Sequence, residues 1–173
     1  MAGMNQALIA ELEQEGAATR RVLERVPADS LGWQPHPKSM TLGQLALHVA
    51  SIPGGLARLC AADGVDAATI DFTPRQPQDA AELLPALEES LAGARTFLSG
   101  LDEASAAAPF RLTFGERELS SAPRMVMVRS LLLNHWYHHR GQLSVYLRLL
   151  DVPVPAVYGN SADENPFVEA AAA

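Results

Sequence analysis

The chain has 173 residues, with 48% hydrophobic, 6% aromatic and 19% charged positions, enough for one domain with a buried core. Twenty acidic residues against thirteen basic ones leave a net charge of −7 and an isoelectric point near 5.1, the wrong sign for phosphate-backbone binding, so no nucleic-acid partner is expected. The single cysteine, Cys60, excludes an internal disulfide framework and a thiolate zinc cluster.

The first residues carry acids where a signal peptide carries basic residues ahead of an apolar block. No apolar run approaches the roughly 20 residues of a membrane span. A cytoplasmic protein with no membrane partner is therefore expected. A first helix is predicted from about Asn5 to Val26, with Leu8, Leu12, Thr19, Val22 and Val26 on one stripe. Pro27 and the run Gly32 to Pro37 end it. A second helix opens at Thr41 with a capping box completed by Gln44. Leu45, His48, Ile52, Leu56 and Leu59 follow on one face, and Pro53 is expected to kink the helix because it lacks an N–H.

A linker from Asp63 to Gln78 precedes a third helix, Asp79 to Leu101, in which Pro85 fits only if the helix starts late. Between Pro109 and Leu119, Phe110, Leu112 and Phe114 alternate ahead of Gly115, the pattern of a small extended or hairpin excursion and not of a sheet. A fourth helix runs from near Pro123 to Leu150. The tail from Val152 is expected to strap over the helices. The expected organisation is all-α: one four-helix-bundle domain over 1–167, and a disordered end over 168–173.

Histidine is the one residue type that points at chemistry. His135 and His139, four apart, project from one helix face, so both rings can reach one metal at about 2.0–2.1 Å. They stand among Leu131, Leu132, Trp136, Leu143 and Tyr146, where an unpartnered imidazole is costly. A single core histidine such as His48 is more often a hydrogen-bonded residue than a ligand. Beside that pair, it becomes the third donor from a neighbouring helix. Three ligands leave a position open to water or substrate. His138 lies about 100° from His139 and is either an outer-sphere or entrance residue or simply exposed. Gln142 either bonds a ligand ring or a bound water, or is exposed. His36, between two prolines, is expected to be an exposed loop residue.

Asn134-His135-Trp136-Tyr137-His138-His139-Arg140-Gly141-Gln142 resembles the NHxxHHRGQ signature of the DinB-like (DinB/YfiT) superfamily. Trp33-Gln34-Pro35, the stretch Lys38 to Gly43, Leu45 to His48 and the tail Val154 to Gly159 agree in order and spacing. The resemblance implies a four-helix bundle with a long connection between helices 2 and 3, commonly a homodimer. It implies a divalent metal, nickel or zinc most often and manganese or iron otherwise, on His48, His135 and His139. It also implies chemistry on small molecules with low-molecular-weight thiols such as mycothiol, bacillithiol or glutathione.

Signatures of other helical metal sites are missing. No Glu stands three before any histidine, and HExxH is absent. Asp163 and Glu164 lie in a family-like tail segment, either as a solvated tail or as groups that reach the metal mouth. The expected activity is that of a metal-dependent thiol S-transferase-like or hydrolase-like enzyme. The alternative is a non-catalytic metal- or ligand-binding stress-response protein, and a metal-free helical interaction module is the third reading.

Overall fold

The computed structural model describes residues 3–165 and Phe167. The chain is mostly helical. Helix α1 (Met4–Leu23) buries Leu8, Leu12, Thr19 and Val22 along the stripe that the spacing predicts. Helix α2 (Leu42–Ala61) starts at the expected capping box: Gln44 N–H donates to Thr41 Oγ1 at 3.1 Å, and Thr41 N–H donates to Gln44 Oε1 at 3.0 Å. Helix α3 (Leu83–Ser99) begins after a short 3-10 turn, Ala80–Glu82, so Pro85 falls in its first turn, where a missing N–H costs nothing. Helix α4 (Glu103–Ala107) is a single short stretch. Helix α5 (Arg124–Met127) then continues through a π-helical segment, Val128–Asn134, into α6 (His135–Leu149). α2 packs most extensively on α3 and, along another side, on α6; α1 lies against α3.

The expected all-α chain also contains a small sheet. β1 (Gly64–Asp66) pairs in parallel with β2 (Pro109–Phe114), which pairs antiparallel with β3 (Arg117–Pro123). The excursion is thus part of a three-stranded sheet, because the α2–α3 connection supplies an edge strand. Gly115, at φ +59°, turns the hairpin, and Asp66 Oδ1 accepts its N–H at 2.8 Å. A register shift between Leu112 and Thr113 breaks the alternation. Phe110 is consequently buried and Phe114 exposed. Buried Arg124 ties the end of β3 to the end of α2: its guanidinium donates to the carbonyls of Cys60 and Ala62. Residues 168–173, expected to be disordered, lie outside the described residues. Among the described residues no helix is long and apolar enough to cross a membrane.

Helix α2 runs through Pro53. Proline gives no N–H to the carbonyl of Val49 four residues back. The buried indole Nε1–H of Trp136 donates to that carbonyl instead, at 2.9 Å. One residue on, the Gly54 N–H donates to Ser90 Oγ of α3 at 2.7 Å. This approach is close enough that a Cβ on Gly54 would stand 2.8 Å from the Ser90 backbone, whereas one on Gly55 would meet nothing within 4 Å.

The Gly54→Ala variant is therefore expected to lose about 1–3 kcal/mol, since backbone at that contact cannot yield. Gly55→Ala should be neutral or gain up to about 1 kcal/mol from helix propensity. Urea unfolding of the two variants checks the pair.

Candidate metal centre

The three proposed ligands come together. His48 lies in the second turn of α2, one residue before Val49, and His135 is the first residue of α6, one residue before Trp136. The Trp136–Val49 hydrogen bond therefore clamps the two helices beside the two histidines. The π segment ends at Asn134. Its wider turn offsets α6 relative to α5, so Leu132, Leu133, Trp136 and Arg140 are all buried while His135 and His139 turn to a cavity.

His48 Nε2 and His135 Nε2 are 3.3 Å apart. The ring centroids of His139 lie 4.7 Å from His48 and 4.6 Å from His135. One nitrogen from each residue falls within 4.8 Å of the others, a group that can hold a metal ion. Two imidazole nitrogens on one ion at about 2.0–2.1 Å, at a tetrahedral angle, stand about 3.3–3.4 Å apart, and the His48–His135 pair meets that spacing. Gln142 Oε1 lies 2.7 Å from His139 Nδ1. An amide oxygen only accepts, so Nδ1 carries the proton and the lone pair of Nε2 is free.

The histidines are half-buried, not enclosed as their apolar neighbours suggest. Burial, reinforced by His139 and His135, lowers the His48 pKa to about 4. Burial likewise lowers His135, aided by His139 and His138, and it outweighs the Gln142 contact in lowering His139. All three are neutral donors near pH 7.

His138 is exposed; its ring lies edge-on to His139 at 5.0 Å, and it is not among the cavity's lining residues. His36 is exposed in its loop, where its Nδ1 accepts from Lys38 N–H. Asp163 and Glu164 do not line the cavity. Asp163 pairs with Arg148, and Glu164 reaches Arg21 and Arg25, at 3.0 Å for Arg25. The Val154 and Ala156 N–H groups donate to these two carboxylates, so both pin the tail to the helices.

The cavity has a volume of about 710 Å³, within the range of small-ligand sites. Its wall combines the histidines with α2, α3 and the connection between them, through Arg58, Phe72, Arg75 and Glu89. Sequence pattern gives no sign of these. Glu15 is different, because its position on α1 is legible in the sequence. Glu15 falls on the α1 stripe between Leu12 and Thr19, and a charge there demands a buried partner. That partner is Arg140, next to His139: its Nη2 lies 2.6 Å from Glu15 Oε2, and both side chains are almost fully buried. Arg140 also donates to the Glu15 carbonyl at 3.1 Å and to Thr19 Oγ1 at 3.2 Å, while lying over the rings of Tyr137 and Tyr158. Tyr158 in turn donates to Glu15 at 2.8 Å, carrying the tail into the same network.

The chain is a mostly helical protein in which three histidines from two helices form a group that could hold a metal ion. Residues 11–143 match the family model of the DinB superfamily, and the chain belongs to that superfamily. Among solved structures it is similar to a DinB-like protein of Bacillus cereus ATCC 10987, at 22% identity and a TM-score of 0.64, covering 86% of this chain and 94% of that one. It is also similar to a DinB-like protein of Bacillus subtilis, at 16% identity and a TM-score of 0.65, covering 87% and 97%. These likenesses establish a common fold. Comparison with curated proteins gives no match.

The lowered histidines set a direction for stability against pH. Between about pH 6.5 and 4 the unfolded chain binds protons that folded His48 does not. Stability of the metal-free protein should therefore fall as pH drops through that window, and His48→Gln should reduce the slope. Urea midpoints at pH 7, 6 and 5 measure both.

Proposed function

We propose that the chain is an enzyme with the four-helix-bundle architecture of its superfamily, in which His48, His135 and His139 hold one divalent ion beside a small-molecule cavity. The observation that carries the reading is the convergence of three neutral imidazoles, from two helices, on one wall of a ligand-sized cavity. Three nitrogen donors, with no fourth ligand grouped with them among the described residues, suit a catalytic site. Imidazole suits nickel or zinc, with manganese or iron as further candidates. A bound ion would supply Lewis acidity, lowering the pKa of a thiol or water at the open position.

The chain's own residues do the rest. The depressed histidine pKa values keep the donors unprotonated, so the ion does not compete with protons at neutral pH. Gln142 fixes the tautomer and ring orientation of His139. The α2–α3 connection closes one side of the cavity. The lone Cys60 is buried, and burial pushes its thiol up to about 11, so a reacting sulfur has to arrive with a substrate. The favoured reaction is S-transfer from a low-molecular-weight thiol, with hydrolysis as the related activity. By family likeness, the working unit is a cytoplasmic homodimer.

Protein purified without a histidine tag should carry about one divalent ion per chain by elemental analysis, and His135→Ala should lose both the ion and turnover of electrophiles with a thiol panel. A His135→Ala protein that keeps its metal or its full activity contradicts the reading. Tight metal with no turnover on any thiol or ester would favour the non-catalytic binding protein instead.

A further inference from the structure

We propose that Arg140 is a positioning residue of the metal centre: its lock on α1, completed by Tyr158 of the tail, fixes the rotation of α6 at which His139 meets the ion. The inference rests on the metal-site reading and concerns groups that do not line the cavity.

Helix α6 carries two parallel stripes. His135 and His139, four apart, face the cavity; Trp136 and Arg140, also four apart, are buried on the adjoining face. Each ligand of α6 is therefore followed directly by an anchor. Trp136 donates to the Val49 carbonyl of α2 at 2.9 Å, and Arg140 donates to the Glu15 carbonyl of α1 at 3.1 Å. Both anchors end on the backbone of a neighbouring helix, a reference that no side-chain rotation shifts. The Trp136 bond stands beside His135 and His48. His139 lies a full turn beyond it, where Arg140 supplies the next restraint.

Four acceptors hold the Arg140 guanidinium. Besides the Glu15 carbonyl they are Glu15 Oε2 at 2.6 Å, Thr19 Oγ1 at 3.2 Å and the Tyr158 hydroxyl, which itself donates to Glu15 at 2.8 Å. The rings of Tyr137 and Tyr158 have their centroids 5.4 and 5.2 Å from its central carbon. A planar fork held on this many sides leaves α6 little freedom to turn. A turn of about 20° moves side-chain atoms about 5–6 Å from the helix axis by about 2 Å. A ligand set keeps its geometry only within about 0.5 Å, so such a turn would take His139 off the ion while the fold stayed intact. Net stability is not what the ion pair supplies, since apolar replacement of both partners of a buried pair is often neutral or stabilising.

The test uses the full-length chain and cobalt(II), whose visible absorption reports the coordination of the bound ion. Affinity is read by competition with a chromophoric chelator at pH 7, and the unfolding midpoint of the metal-free protein is read in urea. Glu15→Met/Arg140→Met should keep the midpoint near wild type, yet bind cobalt about tenfold more weakly and with an altered spectrum. Arg140→Lys keeps the charge without the planar fork, and Tyr158→Phe removes one acceptor; each should weaken binding about threefold with the fold retained. Wild-type affinity and spectrum in the folded variants, whatever their midpoints, would overturn the proposal and leave the network a role in stability alone. If the double variant does not fold, the two single variants decide on the same readouts. A wild-type chain that takes up no cobalt would overturn the metal reading itself, a result separate from that of any variant.

Discussion

One missing N–H organises the centre of this molecule. Pro53 leaves the Val49 carbonyl of α2 without its helical partner, and a buried unpaired carbonyl costs about 1–3 kcal/mol. Trp136 of α6 meets that demand with its indole N–H, inside a core where the ring is wholly buried. His48 precedes Val49 and His135 precedes Trp136 in the chain. The bond that satisfies a proline's deficit therefore also sets the spacing of two histidine nitrogens at 3.3 Å. One residue beyond the proline, the Gly54 N–H donates to Ser90 Oγ of α3. α2 continues through the proline expected to kink it, and α3 and α6 both bond to its backbone there.

The far side of α6 is held by charge. Arg140 is enclosed by Glu15, Thr19 and two tyrosine rings, so the helix that carries His135 and His139 is fixed to α1 as well as to α2. Burying an ion pair contributes little net stability, but removing one partner would leave an uncompensated charge at a cost of about 3–5 kcal/mol. Such a pair is a register device: it makes alternative rotations of α6 expensive. Tyr158, Asp163 and Glu164 extend that restraint to the tail, and so the family-like tail segment serves the scaffold and not the cavity.

The helices were legible because their apolar stripes repeat at helical spacing over many turns, as with Leu8, Leu12 and Val22. The histidine trio was legible because His135 and His139 share a helix face and His48 occupies a core position. β1 was not, since Gly64, Val65 and Asp66 have no alternation and become a strand only through the hydrogen bonds of β2. The π segment leaves no mark in composition, and its wider turn is what brings Leu132, Leu133 and Trp136 to the buried side. Arg58 and Glu89 read as ordinary solvated helix residues, and only the packing of α2 on α3 places them on one cavity. Glu15 is the instructive middle case, a charge on an apolar stripe whose partner the sequence implied without naming.

In the proposed site, three imidazoles from α2 and α6 share one ion with a position left for a ligand. X-ray absorption at the metal edge of protein loaded with zinc or nickel addresses it directly. Loaded protein should show a shell of nitrogen scatterers at about 2.0–2.1 Å with the outer-shell pattern of three imidazoles, and a sulfur scatterer at about 2.3 Å on adding a thiol. A spectrum with fewer than three imidazoles, or one whose first shell is unmoved by any thiol, would contradict it.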